Sequence, residues 1–325
     1  MSEPVRVAVT GANGFVGQAV CRTLLAKGYS VRALLRRADA LAQPVDGVAI
    51  DSRVVGDINA TTDWKDHLKD VQAVIHLAAR VHVMNDQSDD PLAAFRAVNV
   101  DGTAGLARAA HAQGVKRLIF MSSIKGNGEA TTNRAFDESS PAAPEDPYGQ
   151  SKAEAEQVLR DIAAQTGLEV TILRPPLVYG PNVGANFAAL TKLVRRGMPL
   201  PLGAIDNHRS LVHVDNLADS CVTAVAHPGA ANQTFLVSDG IDHSIGQMIR
   251  LLAEGMGKKP VLLPVPEGVL ALLGRITGKS AQVSRLTGSL QIDSRAIRRT
   301  LDWQPPVDAH EGLRCTGAWF GKQGS

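Results

Sequence analysis

The sequence predicts an α/β protein built on a doubly wound parallel sheet. In the first half of the 325-residue chain, short apolar runs alternate with segments whose apolar residues recur at helical spacing. This alternation is typical of parallel strands joined by right-handed crossovers, with helices covering both faces of the sheet. Hydrophobic residues make up 44% and charged residues 20% of the chain, which is the composition of an ordinary globular protein.

Five strands and three helices are expected before residue 174. The predicted strands are Arg6–Val9, Ser30–Leu35, Ala73–Leu77, Arg117–Ser122 and Glu169–Leu173. The predicted helices are Phe15–Ala26, Pro91–Gln113 and Gln150–Thr166. Residues 174–210 are rich in Pro, Gly and Asn, and a strand-and-helix segment and a strand at Gln233–Val237 follow. We therefore expect one domain over residues 1–173, to which residues 211–237 return, and a smaller, discontinuous substrate lobe formed by 174–210 and 238–325.

Charge and cysteine usage exclude several classes of function. A net charge of +2 and an aromatic content of 4% argue against nucleic-acid binding. The three cysteines are scattered and have no metal-ligand spacing, so we expect buried thiols in a reducing compartment and no metal site. The N-terminus lacks a basic and apolar leader, which predicts a cytoplasmic protein without membrane insertion. We interpret the apolar segment Val261–Ile276 as a loop and an amphipathic helix of a core, with a membrane-surface role as the alternative.

A glycine-rich turn is the first functional signal. Residues 9–17 read VTGANGFVG and place Gly11, Gly14 and Gly17 between a strand and a helix. Gly11 would permit the tight turn, Gly14 would let the backbone approach a pyrophosphate, and Gly17 would let the helix pack closely. The free N–H groups of the helix N-terminus would favour the anion. The segment therefore predicts a dinucleotide site, although its GxxGxxG spacing differs from the usual GxGxxG.

Five further motifs follow in order: HLAA at 76–79, NVDGT around Asn99, the pair Ser122-Ser123, YGQSK at 148–152, and RPPLVYGP at 174–181. From about residue 5 to about 305 the chain resembles the extended short-chain dehydrogenase/reductase, or NAD-dependent epimerase/dehydratase, family. The resemblance implies a Rossmann fold, a structural His76 and an Asn99 that stabilises a helix kink. It also implies the cofactor-binding residues Gly11, Asn13, Gly14, Phe15, Val16, Gly17, Asp57, Ile58, Leu77, Ala78, Ala79, Asn99, Ser122, Tyr148, Lys152 and Pro175.

Tyr148 and Lys152 are the predicted catalytic pair, because residues four apart share one face of a helix. A phenol has a pKa of about 10, and we expect the neighbouring ammonium to lower the pKa of Tyr148. The tyrosine could then exchange a proton with a carbinol, while Ser123 bonds the same oxygen. The implied reaction is hydride transfer at a carbon that carries a hydroxyl or carbonyl. A non-catalytic Rossmann binding protein is an alternative, but such family members usually lose the tyrosine or the lysine.

The end of the second strand bears on the choice of cofactor. NAD enzymes usually carry an acid there, which bonds the ribose 2′-hydroxyl. This chain has Leu35 in that place, followed by Arg36, whose guanidinium could pair with a 2′-phosphate. We therefore expect NADP(H). The alternative is that Arg36 and Arg37 are solvated or stack on adenine, in which case NAD(H) is also possible.

The second half of the chain resembles the nucleotide-sugar branch of the family. That resemblance implies a UDP-sugar, with arginines at the diphosphate and the PLPLG segment along the uracil. The expected substrate-binding residues are Lys125, Asn127, Asn182, Asn186, Leu200, Leu202, Arg209 and Arg285. It also implies a homodimer formed through helices that include the YxxxK helix.

The segment SSIKGNGE at 122–129 is similar to that of a bacterial subgroup that acts on polysaccharide precursors. The favoured function is a reductase that converts UDP-4-keto-6-deoxy-N-acetylglucosamine to UDP-N-acetylquinovosamine. The alternative is a UDP-glucose or UDP-N-acetylglucosamine 4-epimerase with tightly bound NAD. A dehydratase is disfavoured, because family dehydratases have an Asp-Glu pair where this chain has Ile124-Lys125.

Overall fold

The computed structural model of the chain describes residues 4–38, 50–81, 89–278 and 280–323. In chain order its strands are β1 Arg6–Thr10, β2 Ser30–Leu35, β3 Asp51–Val54, β4 Ala73–His76, β5 Arg117–Met121, β6 Glu169–Arg174, β7 Leu177–Tyr179, β8 Arg209–His213, β9 Thr234–Leu236 and β10 Asp242–His243. Seven of them form a parallel sheet in the order β3-β2-β1-β4-β5-β6-β9. The strand order reverses between β1 and β4, which is where ligands bind in such sheets.

The helices surround this sheet and continue into the C-terminal part of the chain. They are α1 Phe15–Ala26, α2 Pro91–Arg96, α3 Thr103–Ala112, α4 Pro147–Thr166, α5 Ala185–Arg195, α6 Val214–Ala226, α7 Ile245–Gly255, α8 Glu267–Ile276, α9 Ser280–Thr287, α10 Arg295–Leu301 and α11 Ala309–Lys322. A wider π turn, Ala97–Gly102, joins α2 to α3. The predicted helix Pro91–Gln113 is therefore two α-helices with a distortion between them.

The predicted doubly wound parallel sheet is confirmed, and several details differ from expectation. β3 was missed because its four residues are only partly buried and show no apolar pattern. The strand expected after residue 210 is β8, which pairs with β7 and β10 in a separate three-stranded sheet. By contrast, β9 does return to the main sheet, where it pairs with β6.

The three larger of the four apolar cores in the described residues correspond to this arrangement. One face of the large sheet packs against α1 and α6, and the other packs against α3 and α4. A third core joins α5, α7 and α11 in the C-terminal part of the chain. Part of the segment expected in the substrate lobe, α10 with Trp303, instead packs in the first core.

The segment Val261–Ile276 contains the expected loop and helix, but less of the helix is buried than expected. Leu270 and Gly274 are buried in α8, but Leu272, Leu273 and Ile276 are exposed, Ile276 by 73%. Among the residues that the structure describes, no helix combines the length and the apolar character needed to cross a bilayer.

A buried arginine ties the main sheet to the end of α6. The Arg117 guanidinium donates to Glu169 Oε2 at 2.5 Å and to the carbonyls of Ala224 and His227 at 2.8 and 2.7 Å. Ala224 belongs to the last turn of α6, where backbone carbonyls lack helical partners, and His227 is the residue that follows the helix. The side chain therefore neutralises both a carboxylate and the negative end of a helix.

We expect Arg117→Met to lower the free energy of unfolding by about 3 kcal/mol, because it leaves carbonyls and a carboxylate without their donor. Arg134→Met is the matched control: that arginine is 77% exposed beside Asp137, and its loss should change stability by less than about 0.5 kcal/mol. Urea unfolding of both variants measures the difference. Equal effects would contradict the assigned role of Arg117.

Candidate active site

The β1–α1 turn has the close backbone contacts that its glycines predict. Gly11 has a φ of +67°, and a Cβ there would lie 3.0 Å from the amide nitrogen of Ala78. A Cβ on Gly17 would lie 2.1 Å from the carbonyl oxygen of Gly11, closer than any side chain can approach. The turn is thus packed directly against the first turn of α1 and the loop after β4.

The N-terminus of α1 is open to an anion. Gly14 is the extended N-cap residue, no side chain caps the helix, and the first turn contains no acidic residue. The side chains of Phe15 and Val16 pack against the core, so only their backbone N–H groups can contact a bound anion. Asn13 is exposed. Free N–H groups beside glycines form the arrangement that accepts a pyrophosphate, so this end of the sheet fits a dinucleotide.

A buried hydrogen-bonded row positions the loop after β4. The Thr10 hydroxyl accepts from the amides of Leu77 and Ala78, both at 3.1 Å, and contacts His76 Nδ1 at 2.7 Å. His76 Nε2 lies 3.0 Å from the Thr103 hydroxyl. Burial, reinforced by the charge of Lys152, lowers the pKa of His76 to about 3. His76 is therefore a neutral structural residue, as the resemblance implied, and it sets the path of Leu77–Ala79.

Three residues expected near the adenosine lie beyond the carboxyl ends of β2 and β3. Arg36 Nε is 3.7 Å from Asp57 Oδ1, and both side chains are mostly exposed. Leu35, which replaces the usual acid, is fully buried. The Ile58 side chain lies against Gly102 in the π turn. Arg36 thus already has a carboxylate neighbour, which reduces its availability to a 2′-phosphate.

Asn99 is buried in the π turn between α2 and α3. Its amide accepts from Arg80 N at 2.8 Å and donates to Arg80 O at 3.0 Å and to the Ser151 hydroxyl at 2.9 Å. The side chain thus connects the loop after β4 to α4. Its cofactor role stays a prediction, whereas this contact explains why the helix is distorted here.

Ser123, Tyr148 and Lys152 converge where β5 meets α4. Lys152 is buried, its Nζ donates to the carbonyl of Met121 at 2.8 Å, and it lies 4.5 Å from the Phe120 ring centre and 6.0 Å from that of Tyr148. Ser123 hydrogen-bonds the Tyr148 side chain. The three predicted catalytic residues therefore form one group at the carboxyl edge of the sheet.

The pKa values differ from the sequence-based expectation. Burial, reinforced by the Asp146 carboxylate, raises the pKa of Tyr148 to about 12 despite the hydrogen bond from Ser123. Burial also lowers the pKa of Lys152 to about 7 against the opposing charge of Glu156. The expected lowering of the phenol pKa by the lysine is thus not seen in the protein alone, where desolvation dominates and Ser123 supplies the opposing contribution. Tyr148 is a proton donor at neutral pH.

Two predicted cofactor residues make contacts within the protein. The Ser122 hydroxyl donates to Glu156 Oε1 at 2.5 Å, and the Pro175 carbonyl accepts from the Ile124 amide at 3.0 Å. Both residues are buried near the catalytic group. Their part in cofactor binding stays a prediction.

Three predicted substrate cations gather around one carboxylate. Lys125 Nζ lies 2.6 Å from Glu129 Oε1 and 2.5 Å from Asp146 Oδ2, and Arg285 Nε lies 3.2 Å from Glu129 Oε2. Arg209 donates to the carbonyl of Arg285 at 2.9 Å. We call Lys125, Glu129, Asp146, Arg209 and Arg285 the Glu129 cluster. It connects the C-terminal part of the chain to Asp146, the N-cap residue of α4.

The other predicted substrate residues do not lie together. Asn127 is buried; its amide donates to the Ser140 carbonyl at 2.9 Å and accepts from Arg174 at 3.2 Å, so its hydrogen bonds are used within the protein. Leu200 and Leu202 are buried in the third core. Asn182 and Asn186 are exposed, and Asn182 has a φ of +68°.

Sequence reasoning missed Thr10, Glu129, Asp146 and Glu156. Asp146 directly precedes a proline and the YxxxK motif, which is an N-cap signal. Glu156 lies four residues after Lys152 and eight after Tyr148, so helical spacing could have placed it on their face. Nothing in the sequence indicates that Glu129 meets Arg285, because 156 residues separate them.

Residues 7–238 match the family described as the NAD dependent epimerase/dehydratase family. The chain belongs to this family. The resemblance read from the motifs is thereby confirmed, and so is the expectation of an enzyme with the extended short-chain dehydrogenase/reductase fold. A curated family relative, a UDP-glucose 4-epimerase of Vibrio cholerae, is 47% identical over 98% of this chain and 96% of its own length.

Two solved structures from the family are similar along the whole chain. A Thermotoga maritima UDP-glucose 4-epimerase with UDP-glucose is 26% identical, with a TM-score of 0.76 over 98% of this chain and 99% of its own. A Streptomyces venezuelae dTDP-glucose 4,6-dehydratase with bound NAD is 28% identical, with a TM-score of 0.76 over 98% and 97%.

We expect Gly17→Ala to abolish cofactor binding and to destabilise the fold by more than about 3 kcal/mol, because the new methyl meets backbone atoms that cannot move separately. Gly28→Ala is the control: its φ is +81°, but no atom lies within 4 Å of the added Cβ. That change should cost about 1 kcal/mol and leave binding intact. NADH fluorescence titration and urea unfolding report the two effects; normal NADH binding by Gly17→Ala would contradict the assignment.

His76 should make the fold sensitive to acid. Its folded pKa of about 3 lies below that of an unfolded histidine, so only the unfolded chain takes up this proton between about pH 6.5 and 3. Stability therefore falls as pH falls through this window. We expect His76→Gln to reduce the loss of unfolding free energy between pH 7.5 and 5 by about 2 kcal/mol. The exposed His111→Gln should leave that loss unchanged, and equal slopes in both variants would refute the prediction.

Proposed function

We propose that the protein is a UDP-hexose 4-epimerase that retains NAD and acts at C4 of UDP-glucose or UDP-N-acetylglucosamine. The observation that carries this proposal is the group formed by Ser123, Tyr148 and Lys152 at the carboxyl edge of a sheet whose glycine turn fits a dinucleotide. The 47% identity to a UDP-glucose 4-epimerase over nearly the whole chain supports the choice of reaction.

The chain's own groups supply the proton chemistry. Tyr148 exchanges a proton with the C4 oxygen of the sugar, and Ser123 hydrogen-bonds that oxygen and holds it beside the phenol. Lys152 places its positive charge next to the phenol and so stabilises the phenolate that forms during the transfer. When bound, oxidised NAD supplies a positively charged hydride acceptor, which can later return the hydride. Tyr148 starts as a buried acid, and a positive charge bound beside it would favour the phenolate that acts as the base.

The Glu129 cluster is the proposed binding site for the UDP diphosphate. Arg209 is half-buried, and burial lowers its pKa below the usual range, so its charge is poorly solvated. Together with Arg285 and Lys125 it offers several N–H donors to phosphate oxygens. The exposed Asn182 and Asn186 remain proposed contacts to the same substrate.

A reductase that uses NADPH is the second candidate function. The observation that favours it is Leu35 at the end of β2, where an NAD enzyme usually has an acid, followed by Arg36. Against it, Arg36 already lies near Asp57. A dehydratase is disfavoured, because Lys125 is ion-paired with two carboxylates at a position where family dehydratases carry an acid.

The deciding experiment uses protein purified without added cofactor. Acid-released NAD in near-equimolar amount, with interconversion of UDP-glucose and UDP-galactose or of their N-acetylamino forms, would support the epimerase. Stoichiometric NADPH consumption with UDP-4-keto-6-deoxy-N-acetylglucosamine and no epimerisation would overturn it in favour of the reductase. If the properly folded protein acts on none of these substrates, both proposed functions are rejected.

Tyr148→Phe should lower kcat at least about 10³-fold, because the Ser123 hydroxyl holds the substrate oxygen but does not exchange its proton in place of the phenol. Binding of UDP-sugar should change little, since the ring remains. Tyr29→Phe is the control: Tyr29 packs against the first core, away from the site, and its loss should leave kcat within about twofold. Retention of more than a tenth of kcat in Tyr148→Phe would contradict its role.

A further inference from the structure

Three consecutive residues at the end of β5 contact three residues of α4. The Met121 carbonyl accepts from Lys152 Nζ at 2.8 Å, and the Ser122 hydroxyl donates to Glu156 Oε1 at 2.5 Å. The Ser123 side chain bonds Tyr148. On α4 these partners are spaced four residues apart, so they share one face of the helix. Two of the three contacts involve predicted catalytic residues, and the third involves Glu156.

Glu156 is a buried carboxylate with an organised set of donors. Its side chain is 2% exposed and accepts from Arg174 at 2.8 and 2.5 Å, from Arg160 at 2.8 Å, and from Ser122. A buried charge is costly unless it is fully paired, and these contacts account for both oxygens. Arg174 is in β6, so the carboxylate joins β5, β6 and α4 directly behind the catalytic group.

We propose that Glu156 is a positioning residue for the reaction: through Ser122 it fixes the end of β5 that carries Ser123, and its carboxylate places a negative charge on the face of α4 that carries Lys152. This role rests on the proposed function, because it concerns the same proton transfer. Glu156 need not touch substrate or cofactor to act in this way.

Within the described structure, Glu156 is the only carboxylate among the groups that face Lys152, and its charge favours the ammonium form. The other groups that face Lys152 carry no negative charge. They are the neutral His76 from β4, the Phe120 ring and the Met121 carbonyl from β5, and Tyr148 from α4 itself. Glu156 in turn faces Arg160 and Arg174. Loss of the Glu156 charge would leave these arginines uncompensated near Lys152, which also disfavours the ammonium.

Two variants test the charge role and the positioning role of Glu156 separately. Glu156→Gln removes the charge and keeps a side chain of the same shape, whereas Ser122→Ala removes the contact and keeps the charge. Glu154→Gln is the matched control, because this carboxylate lies on the same helix in an ion pair with Arg96 on the protein surface. Unfolding by urea establishes that each variant is folded before other measurements.

The pKa of Lys152 is measured by carbon-13 NMR of labelled lysine, with the resonance assigned by its loss in Lys152→Arg. We expect Glu156→Gln to lower this pKa by about one unit and to move the basic limb of the kcat/KM profile down by the same amount. Ser122→Ala should leave the pKa in place and lower kcat roughly tenfold with little change in KM. Glu154→Gln should change neither quantity.

An unmoved Lys152 pKa in folded Glu156→Gln would overturn the charge role, and full kcat in Ser122→Ala would overturn the positioning role. If Glu156→Gln does not fold, the kcat of Ser122→Ala still tests the positioning role. The NMR titration needs no sugar. A shifted pKa in Glu156→Gln, together with a wild-type protein inactive on every UDP-sugar tested, would therefore support the charge role while refuting the proposed function.

Discussion

The buried carboxylate of Glu156 is the constraint on which the geometry of the site depends. A charge in the protein interior requires partners on every open side, and here β5, β6 and α4 provide them through Ser122, Arg174 and Arg160. The hydrogen bonds that pair the Glu156 carboxylate therefore fix the position of α4 relative to the ends of the strands. Because Tyr148 and Lys152 lie on the same helix, their distance from Ser123 follows from that register.

The protein alone keeps its catalytic group in a resting protonation state. Burial holds Tyr148 as a neutral phenol and weakens the ammonium of Lys152, so both pKa values move against the direction that proton abstraction needs. A positively charged cofactor held at the glycine turn would favour the phenolate, which would link chemical competence to occupancy of that turn. The neutral His76 adds no competing charge, since its pKa is near 3.

Local patterns predicted the fold and the convergence of Ser123, Tyr148 and Lys152, because strand–helix alternation and four-residue spacing are properties of short segments. The same patterns could not show which charges meet across the fold. Asn127, expected at the sugar, uses its amide within the protein, and Glu129 meets Arg285 from 156 residues away. The exposure of the leucines of α8 was not predicted either. An apolar helical pattern indicates which side chains a helix could bury, but it does not show whether another element packs against them.

The Glu129 cluster sets a charge threshold for whatever binds there. Glu129 already compensates Lys125 and Arg285 at 2.6 and 3.2 Å, so an incoming anion must compensate those cations better than a carboxylate does. A monoanion gains little from that exchange, because it replaces one negative charge with another. A diphosphate brings two charges and more acceptor oxygens. As the proposed diphosphate site, the cluster would therefore select by the number of charges a ligand carries before any contact with its sugar or base is made.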